Sequence, residues 1–546
     1  MTHNYKPYFP YHTIRKEQQE AIDFALKALI DDDKKFVIIE AGTGVGKSAI
    51  GLTIARYLNN YFKNHIDDLY GGGAYFLTTQ KVLQEQYEND FGKQSGIMKS
   101  LYSATNYQCK YHKQNDCRTS QQLLKGEKKT SKFYKACTMD CRYKNKKIAF
   151  LDSPESVTNF PYFITESTFS GKIKPRNILV IDESHNTEAV LSNFVEIGVS
   201  QFFCEKIIKA KFPDKITPVN FVKWILNDYF PKLQAQILHF ENQIENLGLG
   251  GKLKQLQQIA MRYEMLTTHA GKLESFLQDY EKDNWVMEVQ ETEKKGYKRV
   301  VYRAIDVSKF ADSYLFKMGR KVVMLSATIL EAKTFVKSLG LKDEDYAAIS
   351  IPSPFPVENR PIFQSSIGSM SAGKINESLP KIKAAVQAIL DEHSGEKGII
   401  HCHTYRIARY LEYNLKARKY KKRLIFHDSS NREKKLKEHI NSKQPTVLVS
   451  PSMTEGIDLK GDLSRFQVLC KIPYPYLGDP IIKKRMHKYR GWYALQTAKS
   501  IVQSCGRSVR SKKDTAITYI LDSDWDRFYS KNKNIFPVDF KRLLIK

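Results

Sequence analysis

Glycine, lysine and a hydroxyl stand together in Glu40-Ala41-Gly42-Thr43-Gly44-Val45-Gly46-Lys47-Ser48, directly after the apolar run Phe36 to Ile39. That order suits a nucleotide-phosphate cradle. Glycines such as Gly42, Gly44 and Gly46 let backbone N–H groups turn toward phosphate oxygens, Lys47 supplies a point charge for the β- and γ-phosphates, and the Ser48 hydroxyl can ligate Mg²⁺. The strict pattern opens with Gly, where this chain has Ala41. A second motif, Ile178-Leu179-Val180-Ile181-Asp182-Glu183-Ser184-His185, ends an apolar run in two carboxylates. With a phosphate loop upstream, Asp182 suits the Mg²⁺ and Glu183 suits a general base acting on water. Far downstream, Gln503-Ser504-Cys505-Gly506-Arg507-Ser508-Val509-Arg510 sets two arginines three residues apart, on one face if the segment is helical. They form either a basic solvent face or a pair that reaches a γ-phosphate held elsewhere in the chain.

Four of the eight cysteines, Cys109, Cys117, Cys137 and Cys141, cluster with seven, nineteen and three residues between them; Cys204, Cys402, Cys470 and Cys505 are scattered. Four thiolates suit tetrahedral Zn²⁺ or a [4Fe–4S] cluster, and the spacing matches no standard zinc ribbon. Around them, Lys99 to Lys147 carries thirteen Lys/Arg against Asp116, Glu127 and Asp140, interleaved with Tyr102, Tyr107, Tyr111, Phe133, Tyr134 and Tyr143. This reads as a surface for phosphates and stacked bases, a small basic wedge stapled by its metal because it builds no core of its own.

The elements that would position these groups are short apolar runs ending in polar residues. Ala74 to Leu77 precedes Thr78-Thr79-Gln80, and Val322 to Leu325 precedes Ser326-Ala327-Thr328. A second series follows at Gly398 to Ile400, Thr446 to Val449, Phe466 to Ile472 and Thr515 to Leu521. Buried parallel strands read this way, and ligands collect at their carboxyl ends. Helical stripes are expected over Lys16 to Ile30 and Ala49 to Leu58. Pro218 to Asp283 reads as long amphipathic helices broken at Leu247 to Gly251, and Trp285 to Arg303 as a hairpin split at Lys295-Gly296. At 546 residues the chain is expected to form about three or four units. Its formal charge of +28 favours a polyanionic partner, nucleic acid first. No apolar run nears the roughly 18 residues that span a bilayer, so no membrane partner and a cytoplasmic location are expected.

The phosphate loop, Asp182-Glu183-Ser184-His185, Ser326-Ala327-Thr328 and Gln503-x-x-Gly506-Arg507-x-x-Arg510 resemble the ordered motifs of superfamily 2 helicases. The chain looks more narrowly like the XPD/DinG group of iron-sulfur DNA helicases. That likeness rests on Arg15-x-x-Gln18, Ser353-Pro354-Phe355-Pro356 with Glu358-Asn359-Arg360, Thr454-Glu455-Gly456-Ile457-Asp458, and Pro473-Tyr474-Pro475 with Asp479-Pro480. It runs from about Phe9 to Asp522. In this superfamily Ala is usual at position 41. The group carries a cluster-binding insert between the segments matching Thr78-Thr79-Gln80 and the acidic motif, where all four cysteines fall. Asn106-Tyr107-x-Cys109 and Cys141-x-Tyr143 resemble its first and last ligands, although Ser103-Ala104 replaces the usual Gly-Arg.

The resemblance implies an α/β fold of two tandem RecA-like doubly wound domains with a cysteine-rich iron-sulfur insert and a helical arch insert. The first domain is expected over 1–95, 148–190 and 311–345, the insert over 96–147, the arch over 191–310, and the second domain over 346–546. ATP and Mg²⁺ would engage Arg15, Gln18, Gly42, Thr43, Gly44, Gly46, Lys47, Ser48 and Asp182, with Gly456 and Asp458 coupling nucleotide to the grip on the strand. Glu183, Gln503, Arg507 and Arg510 would complete the catalytic site, and Cys109, Cys117, Cys137 and Cys141 would hold the [4Fe–4S] cluster. Thr79, Gln80, Ser326, His403, Thr404 and Ser450 match backbone-contacting positions in relatives. The implied activity is ATP-dependent 5′ to 3′ movement of a monomer on single-stranded and forked DNA. The rivals are an RNA or hybrid helicase and an ATP-switched remodeller that does not unwind. With little chain before Phe9, no nuclease activity is expected.

Overall fold

The structure, a computed structural model, describes residues 3–64, 69–247, 253–292, 296–452 and 459–545. Gly456 and Asp458 lie outside the described residues. Two seven-stranded sheets carry the architecture. In the first the order is Tyr346–Ile351, Phe36–Ala41, Gly319–Ser326, Arg176–Asp182, Gly71–Thr78, Glu155–Asn159, Lys99–Leu101, and all pairs are parallel. The second, also parallel, runs Leu424–Phe426, Val447–Ser450, Gly398–His401, Phe466–Leu469, Ile517–Asp522, Ile362–Gly368, Leu544–Ile545. These are the two RecA-like domains.

The central strands are buried throughout, as Phe36–Ala41, Arg176–Asp182 and Val447–Ser450 show. Strands covered on both faces need near-continuous Val, Ile and Leu, which is why their sequences run apolar instead of alternating. Register aligns their exits. Glu40 pairs with Ser326, Ala41 with Ile351 and Asp182 with Leu325, so the phosphate loop, the acidic pair and the Ser326 loop leave the same carboxyl edge. Lys47–Tyr61 then forms the helix after the phosphate loop, burying Ile50, Leu52, Ile54 and Leu58 against the sheet.

Several expectations need correction. Tyr346–Ile351 pairs with Phe36–Ala41 and belongs to the first domain, so the boundary at 346 falls too early. This edge strand is half-exposed and Ala-rich, and therefore lacks the apolar run of its neighbours. Lys99–Leu101, placed in the cysteine insert, is the opposite edge of the same sheet. The arch contains more than helices and a hairpin. Trp285–Glu291 and Lys298–Ala304 pair antiparallel as expected, and Ile197–Ser200 adds a third strand. Its helices include Pro218–Trp224, Phe230–Leu247 and Leu253–Asp279. No helix among the described residues is long and apolar enough to cross a membrane.

Candidate nucleotide cleft and cysteine insert

The carboxyl edge of the first sheet faces the second domain across a cleft of about 790 Å³. Gly42, Thr43, Gly44, Gly46, Lys47, Ser48, Asp182 and Glu183 line it from one side, and Gln503, Arg507 and Arg510 from the other. Gly44 and Gly46 adopt φ of 90° and 94°, a left-handed backbone that a side chain would strain. Space forbids a side chain as well. A Cβ on Gly44 would come 2.2 Å from the Phe355 ring, and one on Gly42 would come 2.6 Å from the Ser353 backbone nitrogen. The segment after the last strand of the first sheet thus lies on the phosphate loop, and the Ser353 hydroxyl donates to the Thr43 carbonyl at 2.7 Å.

Arg15 and Gln18, expected to touch nucleotide, are absent from the residues lining the cleft. They brace the loop from behind. Arg15 donates to the carbonyls of Gly44 at 2.7 Å and Val45 at 2.6 Å, and Gln18 to that of Val45 at 2.9 Å. A trans peptide points its N–H opposite to its C=O, so fixing the Val45 carbonyl outward turns the Gly46 N–H inward, while the Val45 N–H closes the loop on the Gly42 carbonyl at 3.2 Å.

Opposite the loop, Asp182 is buried. Its Oδ1 accepts from the Glu183 amide at 2.9 Å and its Oδ2 from the Tyr87 hydroxyl at 3.1 Å. Burial, reinforced by the neighbouring Glu183 charge, pushes the Asp182 carboxyl up to about 6. Burial also opposes charge on Glu183, but Lys47, His185 and Arg507 outweigh it and hold this carboxyl well below the usual range. Lys47 Nζ stands 3.9 Å from Glu183. One carboxyl is therefore costly to ionise while empty of cation, and the other stays charged as a base must. Glu183 adopts φ of 51°, a backbone that non-glycine residues seldom take.

A hydrogen-bonded chain crosses the cleft. His185 Nδ1 lies 2.7 Å from Ser326 Oγ and 3.3 Å from Glu183 Oε2. The Gln503 amide reaches back to His185 Nε2 at 2.8 Å and to Thr328 Oγ1 at 3.1 Å. With that amide donating, His185 Nε2 accepts and the ring proton sits on Nδ1. Trp492–Cys505 is the helix that delivers Gln503, and it ends before the arginines. Arg507 and Arg510 therefore stand on the following loop and share no helical face, yet both line the cleft. Glu40, Tyr87, Arg360 and Asp539 were not legible as site residues. Glu40, Arg360 and Asp539 line the cleft, and Arg360 lies 3.5 Å from Asp539. Glu40 opens the phosphate-loop segment and Arg360 closes the Glu358-Asn359-Arg360 segment without a role of their own in those patterns, and Tyr87 and Asp539 sit in no motif.

The residues expected to contact a strand fall in different settings. Thr79 and Gln80 lie at the margin of the nucleotide cleft. Ser326 and Ser450 are buried, Ser326 held by His185 and Ser450 by His427 at 2.8 Å, which leaves neither hydroxyl facing a strand. Thr404 caps the helix Tyr405–Asn414. His403 stacks beside His401, whose ring nitrogens have no hydrogen-bond partner among the described residues.

In the insert the four cysteines line one cavity together with Tyr111, Phe133 and Tyr143. Cys117 Sγ and Cys141 Sγ are 3.2 Å apart, and burial pushes the Cys137 thiol up to about 11. Among the described residues, no three His, Cys, Asp or Glu side chains are gathered as a single-ion site. The insert does build a core. Phe133 and Tyr143 are buried, Phe133 against His112 at 4.5 Å and Tyr143 against Tyr107 at 5.6 Å, so these two rings are not open to bases. Tyr111, 48% exposed, is open. Arg118 and Gln122 of the insert both bond Glu264 on the arch helix Leu253–Asp279.

Two parallel-sheet domains with a phosphate loop on one and arginines from the other define a RecA-like tandem nucleotide-binding protein. The family model for a helicase C-terminal domain matches residues 387–539, and that for the type III restriction enzyme res subunit matches residues 11–215. The ATP-dependent DNA helicase CHL1 of Candida albicans is 28% identical over 131 residues, a match covering 19% of this chain and 16% of that protein. A solved XPD helicase has the same fold, with a TM-score of 0.62 at 14% identity over 96% of this chain and 98% of that one. Xpd4 of S. tokodaii matches with a TM-score of 0.56 at 15% identity, over 97% and 100%. The helicase C-terminal model thus falls on the second domain and the restriction-enzyme model on the first, and the XPD structures share the fold of both.

Proposed function

We propose that the chain is an ATP-driven helicase that binds single-stranded and forked DNA, moves 5′ to 3′ as a monomer and separates the duplex. The observation that carries this reading is the chain from Glu183 through His185 to Gln503, which joins the general base of one domain to the arginine-bearing segment of the other. The inward N–H of Gly46, with Lys47, binds the phosphates. Glu183 accepts the proton of the attacking water, and Arg507 and Arg510 stabilise charge on the γ-phosphate as the domains meet. Ser48 and Asp182 suit Mg²⁺, which supplies charge neutralisation at the β- and γ-phosphates. Alternation between joined and parted domains shifts the grip along a strand.

Four thiols on one cavity support a [4Fe–4S] cluster held by Cys109, Cys117, Cys137 and Cys141. The bond between insert and arch at Glu264 supports a shared strand-splitting structure. DNA over RNA, and the 5′ to 3′ polarity, follow from the XPD/DinG resemblance. The deciding assay offers purified protein and ATP to forked duplexes bearing only a 5′ or only a 3′ tail, in DNA and in RNA. Unwinding of the 5′-tailed DNA is expected. Unwinding from the 3′ tail alone refutes the polarity, and preference for RNA refutes the substrate. ATP hydrolysis stimulated by single strands without any unwinding supports an ATP-switched remodeller instead. Brown protein with iron and sulfide is expected, and colourless protein containing zinc refutes the cluster.

A further inference from the structure

Tyr87 belongs to no motif, yet its hydroxyl is bonded to a side chain suited to Mg²⁺. It donates to Asp182 Oδ2 at 3.1 Å. The residue is 2% exposed, and its ring is fixed between Phe76 at 5.8 Å and Phe91 at 5.7 Å. A phenol so deeply buried costs free energy unless its hydroxyl is bonded, and phenylalanine would fill the same aromatic pocket without that cost. The hydroxyl therefore does something the packing does not require. Asp182 is held at both oxygens, by Tyr87 and by the Glu183 amide, and each oxygen keeps a lone pair for a cation.

We propose that Tyr87 is a positioning residue whose hydroxyl orders Asp182 for Mg²⁺. The inference rests on the nucleotide-binding reading and deepens it. Tyr87 touches neither the reacting atoms nor the cation; it fixes a carboxylate that holds the cation, as outer hydrogen bonds do around metal sites.

The test is Tyr87→Phe, which keeps the ring and removes only the hydroxyl. Binding of a fluorescent ADP analogue is titrated with Mg²⁺ for wild type and variant, then repeated in EDTA. The half-saturating Mg²⁺ concentration is expected to rise about tenfold in the variant. Affinity in EDTA and the circular dichroism spectrum are expected to stay near wild type. A midpoint within twofold of wild type overturns the inference, as does an equal loss of affinity in EDTA. If wild type itself binds the analogue without any Mg²⁺ dependence, the magnesium site fails, and this inference with it.

Discussion

Replacing Gln503 with alanine tests the link between the two domains most directly. The side chain is 6% exposed and donates two hydrogen bonds across the cleft, to His185 and to Thr328. Each is worth about 0.5–1.5 kcal/mol, and leaving buried His185 Nε2 without a donor adds about 1–3 kcal/mol. The joined form should lose about 3 kcal/mol, and at 1.36 kcal/mol per factor of ten that is roughly 100-fold in kcat. The loss should be selective, because Lys47, Ser48 and Asp182 all lie on the first domain and are untouched. DNA-stimulated ATP hydrolysis is expected to fall roughly 100-fold, while affinity for a fluorescent nucleotide changes less than about threefold. Gln503→Ala with kcat within threefold of wild type would refute the relay. A parallel collapse of nucleotide affinity would show instead that Gln503 supports the first domain as a whole.

Gly44→Ala should abolish measurable nucleotide binding by calorimetry, since its Cβ would meet Phe355 at 2.2 Å on a backbone of φ 90°. Glu264→Ala removes the Arg118 and Gln122 bonds to the arch and leaves only that of Arg118 to Thr268 at 3.1 Å among those described, and is expected to lower unwinding of forked DNA several-fold while ATP hydrolysis holds. Cys137→Ser should lose bound iron and strand separation but retain much of the ATP hydrolysis, because the cleft contains no residue of the insert. In the arch, burial lowers His269 to about 4, below its ordinary 6.5. The unfolded chain therefore binds more protons between those values, and arch stability is complete above pH 6.5 and lost as the pH falls toward 4. Protection factors of Leu253–Asp279, corrected for the intrinsic exchange rate at each pH, should fall at pH 5.5 relative to 7.5, and His269→Gln should flatten that dependence.

What the sequence discloses and what it hides follow from physical causes. Strands covered on both faces must be apolar from end to end, so Ile178 to Ile181 and Val322 to Leu325 stand out by residue type alone. Tyr346–Ile351 is covered incompletely at its edge and does not. Glycine and lysine in the phosphate loop are legible because the chemistry restricts residue type. Arg15 and Gln18 are legible as a pair, but their action on loop carbonyls depends on which way the peptides face. The helix carrying Gln503 ends at Cys505, and Gly506 marks that stop more strongly than the arginine spacing marks a continuation. Glu40 and Asp539 reach the cleft from far-apart parts of the chain and Tyr87 lies buried behind it against Asp182, and no local pattern connects them. Phe133 and Tyr143 look like stacking residues by interleaving alone, whereas a small insert first needs rings to fill its interior.

Ser353 and Phe355, resting on the phosphate loop, lie on the stretch that leads from the first sheet into the second domain. The second domain thus hangs from a joint seated at the phosphates themselves. A displacement of that joint reaches Thr43 and Gly44 on one side and, through Phe355, Val509 beside the arginines on the other. In the proposed motor, release of spent nucleotide and movement of the far domain share this joint, so tension on a strand held by the second domain is felt at the phosphate loop.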